Sequence, residues 1–279
     1  MLYAGIDAGS RTIKVVLIDA TDARIVAAGI IDQGVNQARL ARAVFDKALF
    51  DSGARKSDIA KIVATGYGRS ALDWADTTVT EITCQAYGVK RNFPDVRTII
   101  DIGGQDSKLI RLGRDGVVHD FVMNDRCAAG TGRFLEIVAQ RLGMKLEDIG
   151  PTAEKAERPA IISSMCVVFA ETEIVGLLAS EESPENIVAG VQNSIAKRIG
   201  TMAGGRIDGP IVFTGGVALV TGMRDALAGA LKNPVEIVDD PQMTGALGAA
   251  IIALEQMNKS PLSDKTPGIV RQMHEEMLK

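Results

Sequence analysis

The residues IDAGSRTIKVVLI, beginning at Ile6, return as IDIGGQDSKLIRL beginning at Ile100. Asp7 matches Asp101, Gly9 matches Gly103 and Lys14 matches Lys108, each displaced by 94 positions. In both copies an apolar β-type run ends in Asp, a glycine-bearing turn follows, and a second alternating run leads into a third. The third run is ARIVAAGII in one copy and GVVHDFVMN in the other. This pattern predicts a β-meander at the start of each half. Three residue types repeated in one order at one spacing point to duplication. Whatever the first copy builds, the second must also be able to build.

Between the copies the periodicity predicts a helix over QARLARAVFDKALFDSG, a strand over KIVATGYG and a helix around EITCQAYGVKRN. After the second copy it predicts helices at about 131–143, 170–180 and 185–204, then a strand in GPIVFTGG and a helix in GMRDALAGALK. A short strand, VEIVDD, and a long apolar helix, GALGAAIIALEQM, complete the pattern. Strands precede helices in both halves, so the expected class is α/β, with two duplicated domains around a cleft. The expected divisions are 1–95, 96–257 with the last helix packing back on the first half, and a peripheral tail at 258–279.

Composition agrees with a folded chain of this class. Hydrophobic residues are 46% and charged residues 24% of 279, with 29 glycines. A net charge of −4 gives no electrostatic reason to expect nucleic acid or an anionic membrane as partner. The N-terminus shows neither a basic leader nor a long apolar segment, so a cytoplasmic location is expected. Three cysteines, Cys84, Cys127 and Cys166, cannot make a paired disulfide framework. They leave metal ligation, reactivity or plain burial as readings. With only His119 and His274 present, histidine acid–base chemistry is a poor expectation.

Two Asp–Gly hairpins facing one another make chemical sense as a phosphate clamp, because glycine lets backbone amides approach phosphate oxygens. Asp7 and Asp101, at the strand ends, offer hard oxygens to Mg2+, reached in part through water. Lys14 and Lys108 add positive charge. Either hairpin alone would read as a tight turn with a capping aspartate; the pair favours the clamp. AAGTG at 128–132 precedes the amphipathic run RFLEIVAQRL, placing Gly130, Thr131 and Gly132 where helix amides should point outward. Gly215 and Gly216 follow the apolar run GPIVF and suit a turn passing beneath a nucleoside. The cysteines, 39 positions apart in the case of Cys127 and Cys166, match no zinc-knuckle spacing.

The hairpin pair together with TGGVA resembles the actin, hexokinase and heat-shock chaperone superfamily of ribonuclease-H-like ATPase folds. Within it, ATGYGR, IIDIGGQDSK, MNDRCAAGTGRFLE, ISSMCVVFAETE, FTGGVA and GALGAA are similar to the activator, component A, of 2-hydroxyacyl-CoA dehydratases. ATPase subunits of benzoyl-CoA reductases belong to the same group. The resemblance spans residues 3–254.

That resemblance implies two actin-like ATPase halves around a nucleotide cleft, with ATP or ADP and Mg2+ bound there. It implies a homodimer in which Cys127 and Cys166 of two chains hold one 4Fe-4S cluster. It implies an ATP-driven electron donor that is loaded by reduced ferredoxin or flavodoxin and acts on a dehydratase or a related iron–sulfur reductase. In this reading Asp7 and Asp101 serve Mg2+ and water, and Gly9, Ser10, Lys14, Gly103, Gly104, Gly130, Thr131, Gly132, Gly215 and Gly216 contact nucleotide. Gln105 orients the attacking water or is simply an exposed turn residue. Glu136 reaches the nucleoside or lies on a solvated helix face. Glu171 and Glu173 read better as a helix-start charge pair, and Cys84 as a buried structural thiol. The chain departs from the pattern at Val220, in the stretch after TGGVA where such activators often have Asn, and at Gln85 and Gln192, in segments where they often have His. A small-molecule kinase and a non-redox ATP-dependent interaction protein are the rival classes.

Overall fold

A computed structural model describes residues 1–163, 166–205 and 207–258. Its first half contains strands β1 (Leu2–Ala8), β2 (Thr12–Asp19) and β3 (Ile25–Asp32), then helix α1 (Gln37–Ser52), strands β4 (Ile59–Thr65) and β5 (Thr77–Thr78), and helix α2 (Glu81–Lys90). The second opens with β6 (Thr98–Ile102), β7 (Ser107–Leu112) and β8 (Val118–Asn124), followed by helices α3 (Gly132–Leu142), α4 (Ile149–Ala153), α5 (Val167–Ala179) and α6 (Pro184–Ala203). Strand β9 (Ile211–Thr214), helix α7 (Met223–Leu231), strand β10 (Val235–Ile237) and helix α8 (Thr244–Asn258) complete it.

The two sheets have one topology. Their orders are β3-β2-β1-β4-β5 and β8-β7-β6-β9-β10. In each, the meander pairs antiparallel and the last two strands add in parallel. The sequence repeat is therefore a repeat of a whole sheet. Central strands β1 and β6 are buried along their full length, which accounts for the apolar residues that lead up to Asp7 and Asp101. Helix ends carry local signals: Asn36 caps α1 by accepting from the Arg39 amide, and Ser183 caps α6 ahead of Pro184.

Helix α1 covers one face of the first sheet, where Phe45 and Val44 meet Ile6, Ile13 and Leu17. On the opposite face lies α8, with Ala246, Ala249 and Ala250 against Tyr3, Val16 and Val63. Helix α2 belongs by chain order to the first half, yet its Ala86 and Val89 pack on Ile99, Ile110 and Val212 of the second sheet. The remaining face of that sheet is closed by α3 and α6 through Phe134, Val138, Val191 and Ile195. The pair α2 and α8 thus fills the space between the sheets. Their approach depends on missing side chains, since a Cβ on Gly88 would overlap the Thr244 carbonyl and one on Gly248 the Cys84 carbonyl. The tail at 258–279 lies outside the described residues except for the backbone of Asn258.

Candidate functional site

The two meander turns face each other across a cavity of about 450 Å³. They are built alike. The Gly9 amide donates to the Thr12 carbonyl at 3.1 Å, and the Gly103 amide to the Asp106 carbonyl at 2.9 Å. Antiparallel register sets Asp7 opposite Lys14 and Asp101 opposite Lys108. Parallel register sets Thr65 beside Asp7 and Thr214 beside Asp101. After these threonines come Gly66 and Gly215, with φ of +87° and +88°. A Cβ at either glycine would press on the neighbouring aspartate carboxylate, so the left-handed turn and the close approach both require glycine. The Thr65–Gly66 repeat of Thr214–Gly215 was not identified as a repeat in the sequence, although ATG and FTG at the ends of two apolar runs carry the signal.

Charge distinguishes the halves. Lys14 Nζ stands 3.1 Å from Asp7 Oδ2 as a simple pair. Lys108, only 2% exposed, is shared by Asp106 at 2.8 Å, Glu81 at 3.5 Å and Asp101 at 3.6 Å. Burial works against the Lys108 ammonium, but Asp101, Glu81 and Asp106 outweigh it and raise its pKa. Burial raises the pKa of Asp101, with Lys108 opposing and Asp106 and Asp7 adding to the rise. Burial likewise raises Glu81, again against Lys108. Three carboxylates around one ammonium leave negative charge that a further cation would balance. Glu81 and Asp106 both line the cavity. Sequence reasoning missed Glu81 because α2 reaches the second hairpin only through tertiary packing, and Asp106 because the first copy of the repeat has Thr12 at the matching position. Behind Asp101 runs a buried chain of hydrogen bonds: Gln85 Nε2 donates to Asp101 Oδ2 at 3.2 Å, Thr244 Oγ1 to Gln85 Oε1 at 2.5 Å, and the Thr244 and Thr214 hydroxyls lie 2.7 Å apart.

Asp7, Gly9, Ser10, Lys14, Asp101, Gly103, Gly104, Gly132, Glu136, Gly215 and Gly216 line the cavity. Gly130 and Thr131 are buried and not part of its wall, and Gln105 is exposed outside it. The first amides of α3 do not point outward as expected. Gly132 and Arg133 donate to the carbonyls of Gly103 and Gly104, both at 2.9 Å, so the helix start is bound to the second hairpin. Thr131 caps this start, accepting from the Arg133 amide. Glu136 is engaged by Arg11 at 3.0 Å and Arg133 at 2.8 Å.

Cys127 is partly exposed and opens the short turn Ala128–Gly130. Asn124, ending β8, holds it on both sides: the Cys127 amide donates to Asn124 Oδ1 at 3.2 Å and its carbonyl accepts from Asn124 Nδ2 at 2.7 Å. Cys166 is exposed at the N-cap of α5. Along α5 the apolar Val168 and Phe169 are 67% and 68% exposed, and Val175 is exposed as well. Cys84 is buried on α2, and burial pushes its pKa up to about 12, in keeping with an unreactive thiol. Glu171 and Glu173 are not a helix-start pair. Helix α5 begins at Val167, which puts both beyond its first amides; Glu171 pairs with Arg141, and Glu173 accepts from the amide and hydroxyl of Ser163. Among the described residues no group of three or more His, Cys, Asp or Glu is arranged to hold a metal ion, and no helix is long and apolar enough to cross a membrane.

The model of the BadF/BadG/BcrA/BcrD ATPase family matches residues 4–253. The chain belongs to this family. It is 46% identical over 261 residues to the activator of lactoyl-CoA dehydratase of Anaerotignum propionicum, covering 93% of this chain and 100% of that one. Among solved structures it is similar to the activator of the 2-hydroxyisocaproyl-CoA dehydratase from Clostridium difficile with bound ADPNP. The TM-score is 0.87 and the identity 37%, over 94% of this chain and 100% of that chain. Component A of the (R)-2-hydroxyglutaryl-CoA dehydratase of Acidaminococcus fermentans gives a TM-score of 0.89 at 37% identity, over 93% and 100% of the two chains. The duplication predicts two α/β halves around a cleft and the resemblance implies that they are actin-like ATPase halves; this is the fold observed.

Proposed function

We propose that this chain is an ATP-hydrolysing activator that delivers single low-potential electrons to a 2-hydroxyacyl-CoA dehydratase. ATP would lie between the hairpins, with its phosphates against the turn amides and Mg2+ held through water by Asp7 and Asp101. The buried carboxylates at the cavity and their excess over ammonium groups suit a hard cation that keeps most of its water. Hydrolysis of this kind depends on positioning and charge neutralisation, which rigid hairpins and Lys14 provide.

One observation carries the redox part of the reading. Cys127 is followed within a few residues by the α3 amides that are hydrogen-bonded to the second hairpin, so one continuous element joins thiol and phosphate site. The donor chemistry fits an iron–sulfur cluster, since partly exposed Cys127 and exposed Cys166 both open helical turns and neither is buried like Cys84. Two thiolates per chain require a second copy to supply four. The exposed apolar face of Val168, Phe169 and Val175 beside Cys166 is what a homodimer would cover. When bound, such a cluster supplies reversible one-electron storage. The chain's own part is to hold the thiolates at helix starts, where the dipole favours negative charge, and to link them to the hairpins. Reduced ferredoxin or flavodoxin is the proposed donor, and the cytoplasm the proposed location. A related iron–sulfur reductase is the alternative acceptor.

The test is activation of a purified dehydratase in the absence of oxygen. ATP plus reductant should activate it through the wild-type protein, and Cys166→Ser should abolish activation while leaving ATP bound. Full activation by Cys166→Ser would overturn the redox reading.

A further inference from the structure

The two hairpins grip the first turn of α3 by different means. The second holds it through backbone hydrogen bonds, from Gly132 to Gly103 and from Arg133 to Gly104. The first reaches it with one side chain. Arg11, at the tip of the first hairpin, lies across Gly104 of the second. A Cβ at residue 104 would stand 2.8 Å from Arg11 Cβ and 3.3 Å from its Cγ, so the absent side chain makes the path. Arg11 Nε ends 3.0 Å from Glu136 Oε1, while Glu136 Oε2 is held by Arg133 Nη1 at 2.8 Å.

We propose that the Arg11–Glu136 ion pair is a latch that ties the first hairpin to the turn carrying Cys127, so that the setting of the hairpins around nucleotide is felt at that cysteine. This deepens the reading above, in which Cys127 serves the redox site. The tip that bears Arg11 is braced: Gln33 donates from its amide to the Arg11 carbonyl at 2.8 Å and from its side chain to the Gly9 carbonyl at 2.8 Å. A shift of the first half therefore moves Arg11 with it. From Glu136 back to Cys127 the chain is bonded throughout. The Thr131 amide and hydroxyl both donate to the Ala128 carbonyl, at 3.1 and 2.9 Å, and Asn124 brackets Cys127. Arg11 is 61% exposed, and an ion pair so open to water is weak. That weakness suits a contact made and broken in each cycle, whereas the backbone bonds to the second hairpin persist.

The test uses the full chain prepared without iron, so it does not depend on a cluster. Cys127 alkylation by iodoacetamide is followed peptide by peptide with saturating ADP and with saturating ADPNP, saturation being checked for each variant. In the wild type the two rates should differ by about threefold or more, the scale on which an exposed ion pair can bias an equilibrium. Arg11→Glu and Glu136→Arg should each bring the ratio close to one, and the double reversal should restore it. If a reversal fails to fold, Arg11→Gln and Glu136→Gln serve the same purpose. A wild-type ratio of one, single variants that keep the wild-type ratio, or a double reversal that restores nothing would each overturn the latch. Iron content in anoxic protein judges the redox reading separately.

Discussion

The first hairpin and the second are copies in backbone and strangers in charge. Each places an aspartate opposite a lysine, beside a threonine, under a left-handed glycine. Yet Asp7 meets one lysine, whereas Asp101 shares a more deeply buried lysine with Glu81 and Asp106. Duplication supplied the cradle twice, and α2, which sets Glu81 beside Lys108 of the second hairpin, made the halves unequal. The lesson is that the backbone cradle is the same on both sides, while negative charge that a cation would balance collects on one.

Removing each lysine should separate the hairpins most. Lys108→Met leaves buried carboxylates without their cation and should cost roughly 3–5 kcal/mol, against about 1–2 kcal/mol for Lys14→Met, whose loss uncovers a single carboxylate. Urea unfolding of the two variants measures both, and equal losses would break the comparison. Where the backbone is duplicated the effects should instead be equal. Gly66→Ala and Gly215→Ala each force a Cβ onto a left-handed residue and into an aspartate, and each should cost about 2–4 kcal/mol by the same measurement.

A smaller effect tests the buried chain behind the second hairpin. Gln85→Leu removes the amide between Asp101 and Thr244 and should cost about 1–3 kcal/mol, the range for an orphaned buried partner. Mutant and wild-type thermal midpoints would show it. The smallest is the response to pH. Because burial raises Glu81 and Asp101, the folded chain keeps protons that the unfolded chain has lost. Their contribution favours folding fully below the ordinary carboxylate values and is lost as pH rises from those values through the raised folded ones. Lys108, raised by its carboxylates, contributes until pH climbs past its unfolded value and loses that contribution above it. Glu81→Gln should therefore lessen the fall in thermal midpoint from the ordinary glutamate value of 4.5 towards neutrality. An unchanged slope would mean that Glu81 does not hold a proton in the folded chain.

The matching order of Asp, Gly and Lys made the meanders, the cleft and much of its lining legible, because register alone carries those residues to the turn. The exchange of α2 and α8 between the sheets was less so. Their glycines and alanines read as helix, but which sheet they pack on is a matter of tertiary fit. Glu81, the first residue of α2, therefore carries no sequence signal of its place beside Lys108. The α3 amides were misread for a related reason: the amides of a glycine-rich helix start can donate to a phosphate or to a backbone carbonyl, and here the Gly103 and Gly104 carbonyls take them. Helix α5 starts at Val167, earlier than the expected 170, and the five-residue α4 had no periodicity long enough to detect.

The account stands most directly on one measurement, the native mass of the protein purified without oxygen. It predicts a dimer that carries about four iron and four sulfide ions and loses them in Cys127→Ser and Cys166→Ser. An iron-free monomer from strictly anoxic preparation, or a dimer whose iron survives both substitutions, would contradict it.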